Sequence, residues 1–258
     1  MDRRQFLRQS AVFLCGSLWG LSGIAHSLPF EPPSRIVPVA PRITLIIDDI
    51  GFSRKLARRL INLDIPLTFA VLPHLQHSRV LAHEAHERGR EIMLHQPMEP
   101  CRPDCNPGPG ALYVGFAPQK ITEIMAANIE AVPHVMGVNN HMGSRFTASP
   151  REVNDTLRYV KARGLLFVDS VTTSHSQAFK TARKLRMTAA SRNIFIDHQR
   201  DEAVILEQLG KLERHARRHG CAIGIGHPYP ETVRTLTRFL GEHRDPAIEW
   251  VPVSSACC

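Results

Sequence analysis

From Arg42 onward the chain alternates short apolar runs with amphipathic helical stretches, and run after run ends in a residue able to hold a metal ion or move a proton. Ile43-Thr44-Leu45-Ile46-Ile47 ends in Asp48-Asp49. Later runs end in His95, in Asn139-Asn140-His141, in Asp169, in Asp197 and in His227. Strands that alternate with helices through short loops pair in parallel by right-handed crossovers. Parallel strands present their C-terminal ends on one rim, where α/β enzymes build their sites. Strands are expected near 43–47, 67–72, 91–94, 135–138, 165–168, 194–196 and 221–225, with further ones near 187–190 and 248–252. Helices are expected near 53–62, 78–88, 118–130, 150–163, 201–218 and 231–241. Seven or eight strands favour an irregular, seven-stranded (β/α) barrel over an open sheet.

Some helix boundaries carry their own chemistry. Ser149-Pro150-Arg151-Glu152 reads as a capping box with proline at the first helical position, and Gly164 as the stop. Ile205, Leu209, Leu212 and Ala216 make one apolar stripe, ended by Gly220.

The first residues read as an export signal. Arg3-Arg4-Gln5-Phe6-Leu7-Arg8 precedes an apolar run from Ala11 to Ala25 and the small-residue site Ala25-His26-Ser27, a pattern resembling a bacterial twin-arginine signal. Residues 28–41 carry five prolines and read as an extended linker, which leaves 42–258 as one domain. The expected location is periplasmic. No later apolar run approaches the roughly 20 residues a membrane span requires. The net charge of +8 loses three arginines and Asp2 with residues 1–27 and becomes +6, which suits an anionic envelope polymer or membrane surface. Aromatics are only 6% and do not interleave with basic residues, so nucleic acid is not expected as a partner. Cys101 and Cys105 sit in a Pro/Gly-rich loop that a periplasmic disulfide could staple. Cys221 reads as a small core residue, and Cys257-Cys258 as an open question of pairing.

On a parallel barrel Asp48, Asp49, His95, His141, Asp169 and His227 converge. Adjacent carboxylates at the end of a buried strand repel each other unless a cation or proton offsets them; capping the next helix is the plainer use of Asp48 and Asp49. Two imidazoles and one carboxylate are a common set for a catalytic zinc ion. Asp169 and Asp197 read equally as loop caps or as partners orienting a histidine. His83 and His86 read as a solvated helix face, as do His215 and His219, while His74 and His77 are rim candidates.

The phrases Ile46-Ile47-Asp48-Asp49-Ile50-Gly51, Leu94-His95-Gln96-Pro97-Met98-Glu99, Gly137-Val138-Asn139-Asn140-His141-Met142-Gly143-Ser144, Phe167-Val168-Asp169-Ser170 and Ile225-Gly226-His227-Pro228-Tyr229-Pro230 resemble, in order and spacing, the divergent branch of the NodB-like polysaccharide deacetylases. The resemblance runs from Ile43 to Leu240. It implies a metal-dependent hydrolase removing N- or O-acetyl groups from a glycan such as acetylated peptidoglycan, with a divalent ion, zinc first and cobalt or nickel as alternatives. Carried across, Asp48 is the general base and Asp49, His95 and His141 the ligands. His227 is the general acid, and a backbone N–H near His95 helps stabilise the intermediate. Glu99, Asn140 and Asp169 are expected to support the site or touch substrate, Glu99 also being an alternative ligand. Three departures stand out: Ile50 intervenes before Gly51, no second histidine follows His95 within its motif, and the usual arginine-proline-proline segment is replaced by Asn139-Asn140-His141. These departures keep a rival reading open, a non-catalytic module that binds glycan or an envelope protein. A third, a metal-dependent phosphoesterase, requires a two-metal site with more bridging carboxylates.

Overall fold

The computed structural model describes residues 40–256; the expected signal at 1–27, nearly all of the linker at 28–41 and the Cys257-Cys258 tail lie outside the described residues. In chain order the elements are β1 (Arg42–Ile50), α1 (Arg54–Ile61), β2 (Thr68–Val71), α2 (Ser78–Glu87), β3 (Glu91–Met98), α3 (Pro118–Ala131), β4 (Val135–Met142), α4 (Pro150–Ala162), β5 (Leu166–Asp169), α5 (Ala178–Lys184), β6 (Ala189–Ser191), β7 (Ile194–Phe195), α6 (Glu202–His219), β8 (Cys221–Gly226), α7 (Pro230–Glu242), β9 (Glu249–Trp250) and α8 (Val253–Ala256). Neighbours run in the order β6-β5-β4-β3-β2-β1-β8-β7, and every pairing is parallel. Only Arg192 and Asn193 separate β6 from β7, so one passage of chain pairs first with β5 and then with β8 and joins the two ends of that order. The result is the irregular (β/α) barrel expected from the alternating pattern.

Strand alternation sorts side chains into two layers. Ile43, Leu45, Ile47, Ile92, Leu94, Val138 and Phe167 belong to the large core beneath the helices. Ile46, Met93, Leu166, Val168, Ile223 and Ile225 fill the barrel itself. Ile46 is fully buried there, and truncating it to Ala would cost about 2–5 kcal/mol. The lower end of the barrel is closed by the C-terminal segment. β9 pairs with Arg42 and Ile43, Thr44 Oγ1 donates to Val251 O at 2.9 Å, and Val251, Val253 and Ala256 join the inner cluster.

The helices follow their sequence signals with one exception. In α6, Asp201 accepts from the Ala203 and Val204 N–H groups, and Gly220 ends the helix in the left-handed region at φ 83°. In α4, Ser149 does not cap backbone N–H groups as a capping box requires. Its hydroxyl donates to the Glu152 carboxylate, which is also drawn to the Gly115 N–H and the Arg151 guanidinium. Helix α5 was not expected, because its seven residues bury only Ala178 and Ala182 and show no sustained stripe. Cys101 and Cys105 are thiols, not a disulfide, and line one surface cavity of about 440 Å³. Among the described residues no helix is long and apolar enough to cross a membrane.

Candidate metal centre

The rim chemistry begins with an irregularity in β1. Regular alternation after Ile46 (inward) and Ile47 (outward) puts Asp48 inward and would put Asp49 beneath the helices. The register with β2 slips between Ile47 and Ile50, and Asp49 takes φ 55°. An extra residue in a strand re-aims its side chain, and Asp tolerates the left-handed region better than most residues. Asp49 is thereby turned onto the rim beside Asp48, and Ile50 resumes the outer layer. Gly51 follows at φ 137°, where a Cβ would lie 2.8 Å from Ser78 Oγ. The residue intervening before that glycine is what the bulge consumes.

His95 on β3 and His141 on β4 reach the same point. Asp49 Oδ1 lies 2.9 Å from His141 Nδ1 and 3.2 Å from His95 Nε2, and the two nitrogens are 3.2 Å apart. Donors bonded at about 2.0–2.2 Å to one ion stand roughly 3 Å from each other, so this triangle has the spacing of three ligands on one face of a coordination sphere. Asp49 Oδ1 is buried without a hydrogen-bond partner. An unsatisfied buried carboxylate oxygen is costly, and facing two imidazole nitrogens it fits a cation.

The protonation pattern around the triangle is held by a third strand residue. Asn139 Nδ2 donates to Asp48 Oδ1 at 2.8 Å, which orients its amide so that Oδ1 accepts from His95 Nδ1 at 2.9 Å. The proton of His95 is thus on Nδ1, and the lone pair of Nε2 points into the cluster. Burial raises the Asp48 carboxyl above its ordinary value, with His95 and His227 pulling it partly back. Asp49 is also pushed up by burial, but the His141 and His95 imidazoles outweigh this and hold it well below the usual carboxylate range.

His227 comes from the end of β8 on the opposite side. Its Nδ1–H donates to Asp197 Oδ1 at 2.9 Å, its backbone N–H donates to Asp197 Oδ2 at 2.6 Å, and Thr232 Oγ1 completes that oxygen at 2.7 Å. His227 Nε2 then faces the cluster, 3.9 Å from Asp49 Oδ2. Burial alone would lower its pKa, but the Asp197 carboxylate raises it to about 9. Tyr229 stacks on its ring at 5.2 Å between centroids.

The remaining expected residues divide. Asn140 lines the cavity of about 340 Å³ above the cluster, together with Asp48, His95, Arg192 and His227, and its Oδ1 accepts the Ser170 N–H. Asp169 does not join it. Its parity after Leu166 and Val168 points it beneath the helices, where Val171 N–H, Ser176 Oγ and Phe179 N–H occupy its oxygens. Glu99 is spent on the Val114 N–H and the Arg145 guanidinium, so His141 and not Glu99 stands in the cluster. His74 Nε2 bonds Asn128 Oδ1 and is not part of the cluster.

Asn139 and Arg192 were not assigned roles from sequence, and Asp197 was left open between a loop cap and a partner orienting a histidine. Asn139 stands beside the named Asn140, and only its contacts reveal its function. Asp197, not Asp169, orients a histidine. Arg192, between β6 and β7, donates to the Ser170 and Val171 carbonyls and lies 5.0 Å over the Phe195 ring. Burial lowers its pKa, and the Asp48 and Asp169 carboxylates pull it partly back. A second cavity of about 330 Å³ adjoins Asp49 and His141 from the other side, walled by Leu72, Pro73, Leu75 and Pro107 with the exposed Phe52 at its edge.

A parallel (β/α) barrel carrying an Asp-His-His cluster at its strand ends defines the NodB-like class of folds. The family model described as divergent polysaccharide deacetylase matches residues 45–257, and the chain belongs to that family. It is 31% identical over 217 residues to the uncharacterized protein YibQ of Escherichia coli, covering 84% of this chain and 67% of that one. Among solved structures it is similar to the uncharacterized protein ATU2773 of Agrobacterium tumefaciens, with a TM-score of 0.79 at 28% identity over 84% of this chain and 89% of that one. The catalytic domain of a peptidoglycan N-acetylglucosamine deacetylase from Eubacterium rectale shares the fold, with a TM-score of 0.51 at 15% identity over 83% of this chain and 89% of that one.

Proposed function

We propose that the protein is a metal-dependent hydrolase that removes acetyl groups from an envelope glycan, with Asp49, His95 and His141 as ligands of a divalent ion. The observation that carries this reading is the triangle of unspent lone pairs built on those residues, flanked by a separate carboxylate and a separate imidazole. An ion bound there, zinc first among the alternatives, supplies Lewis acidity, lowering the pKa of water and polarising a carbonyl. The chain's own residues divide the proton work. Asp48, whose carboxyl burial raises above its ordinary value, accepts the proton of the attacking water as general base. His227, raised to about 9, remains protonated at neutral pH and donates to the departing amine or alkoxide as general acid. Asp197 fixes its tautomer and aim. Asn139 ties base to ligand, so that Asp48 and His95 keep one geometry.

Family membership supports a glycan as the substrate class. The cavity above the cluster and the apolar cavity beside it give a sugar chain and its acyl group room on either side of Asp49 and His141. Export to the periplasm rests on the paired arginines and apolar run of residues 3–25. Among the described residues one trio of ligand atoms assembles, which favours a one-ion hydrolase over the two-ion phosphoesterase.

The test is ion content of the purified protein beside His95→Ala and His141→Ala, then acetate release from chitooligosaccharides and acetylated peptidoglycan after loading with Zn²⁺, Co²⁺ or Ni²⁺. Stoichiometric ion lost in both variants, with acetate released by the wild type, is the expected result. Ion without acetate release from either glycan would favour the binding module. No ion at all would remove the metalloenzyme reading.

A further inference from the structure

Among the described residues, one cation that lines the cavity above the cluster forms no ion pair. Arg192 stands where the barrel closes: its own N–H still bonds the Asp169 carbonyl of β5, while the Asn193 N–H already bonds the Ile223 carbonyl of β8. Its guanidinium is fixed along one edge. Nε–H donates to the Ser170 carbonyl at 2.7 Å and Nη2–H to the Val171 carbonyl at 2.9 Å, and Cζ lies 5.0 Å from the centre of the Phe195 ring. Val171 holds φ 49°, with its N–H bound by Asp169 Oδ1. A β-branched residue in the left-handed region is strained, and such strain gathers at sites that bind or react. The two carbonyls take two of the five guanidinium N–H groups. The end edge, Nη1 with the second proton of Nη2, makes no hydrogen bond among the described residues, and the side chain lines the cavity together with Asp48 and His227. Closing the barrel explains the two bonds to carbonyls, which a neutral amide could also make. It does not explain a permanent charge that is half-buried without a partner, since burial lowers its pKa and Asp48 and Asp169 restore only part of the loss.

A guanidinium with its end edge open is a fork for a planar oxyanion, which it grips by two parallel N–H···O bonds. We propose that Arg192 is a specificity-determining residue that binds a carboxylate of the substrate, so that the protein acts on an acidic glycan carrying that carboxylate on the acylated sugar or on the sugar next to it. The cavity of about 340 Å³ is at the small end for a ligand site, which keeps a group held by Arg192 within a sugar unit of an acyl group beside Asp48 and His227. A carboxylate suits the cavity better than a phosphate, because Asp48 lines the same walls and a second negative charge on the ligand would add to the repulsion. A lactyl ether and a uronic acid both present this planar group. The proposal rests on the hydrolase reading for the acyl group and on Arg192 for the carboxylate.

The experiment is isothermal titration calorimetry of the purified protein with acetylated oligosaccharides bearing a lactyl-ether carboxylate, with others built on a uronic acid, and with the methyl esters of each, followed by KM and kcat for acetate release. The wild type is compared with Arg192→Gln, with Arg192→Lys and with Arg59→Ala, which removes an exposed arginine of α1. The wild type is expected to bind at least one acid roughly 10- to 100-fold more tightly than its ester, with the difference carried by KM and not kcat. Which acid is preferred identifies the source of the carboxylate. Arg192→Gln should bind acid and ester alike, at the level of the ester. Arg192→Lys keeps the charge without the fork and should retain part of the preference, and Arg59→Ala all of it. Equal binding of acid and ester by the wild type in both series, or a preference that survives Arg192→Gln, would overturn the proposal. So would loss of the ester as fully as the acid in Arg192→Gln, which marks a fastener of the Ser170–Val171 loop. The comparison of acid with ester on the wild type requires no variant to fold, and calorimetry requires no turnover. Preference for the acid without acetate release would therefore count against the hydrolase reading and leave the role of Arg192 standing.

Discussion

The ends of β1 and β5 look alike in sequence and behave oppositely in the fold. Each is an apolar strand that finishes in aspartate at the same rim. At β1 a bulge turns Asp49 toward two imidazoles and leaves Oδ1 without a hydrogen bond. At β5 the alternation is unbroken, so Asp169 passes beneath the helices, where its loop and the start of α5 consume both oxygens. A strand-end carboxylate becomes reactive machinery when its surroundings leave its lone pairs unspent; otherwise it is a fastener.

Exchanging each carboxylate for an amide breaks the comparison most sharply. Asp49→Asn should empty the cluster and abolish hydrolysis while the protein stays folded, because it removes one of two adjacent carboxylates. Asp169→Asn should keep the ion and lower stability by about 1–3 kcal/mol, since hydrogen bonds to a charged acceptor are lost. Elemental analysis and urea unfolding of both variants decide this, and the reverse pattern would sink the distinction between site and fastener.

Asp48→Asn sharpens the difference within the pair. It should retain the ion and slow hydrolysis by about 10²–10⁴-fold, the usual contribution of a positioned general base. Unchanged turnover would assign the base elsewhere.

Asp197→Asn tests the far side of the rim, with an expected loss of about 10–100-fold. In the proposed mechanism His227 works protonated, so activity should fall as pH rises through its pKa of about 9. Without the Asp197 charge that pKa drops, and the basic limb of the pH–rate profile should move to lower pH. Stability carries the same sign. The folded protein holds the His227 proton more tightly than the unfolded chain, whose value is 6.5, so this contribution is complete below that pH and fades as pH rises through about 9. A profile unmoved by Asp197→Asn would separate the two groups functionally.

The smallest effect belongs to Asn139. Asn139→Leu leaves all three ligands and frees the tautomer of His95, and metal affinity should fall about tenfold, at the lower end of what such supporting contacts contribute. Competition with a chelator of known affinity measures it.

Much of this was legible beforehand, for reasons that are local. Apolar runs of strand length, the Gly220 stop of α6, and the prolines opening α3, α4 and α7 are short-range signals; those helices formed within a residue or so of expectation, while β1, β3 and β4 run three or four residues past their expected ends at the rim. The members of the Asp49–His95–His141 cluster were legible because each terminates an apolar run. Helix α5 was not, because its start depends on Asp169 receiving the Phe179 N–H rather than on any stripe of its own. Asp169 was separable from the site in principle, since it lies one residue past Val168, the last inward position of β5. Parity settles direction only where the strand is regular, and the bulge at Asp48–Asp49 breaks that count.

By itself, then, the sequence determined the alternation of strands and helices and the residue types delivered to the rim, because propensity, capping and hydrophobic period act over a few residues. Only the tertiary structure decided which of those side chains share a point in space and which are already satisfied. Asn139 meets Asp48 across 91 residues and His227 meets Asp197 across 30. Such partners are set by closure of the ring, which no local pattern records.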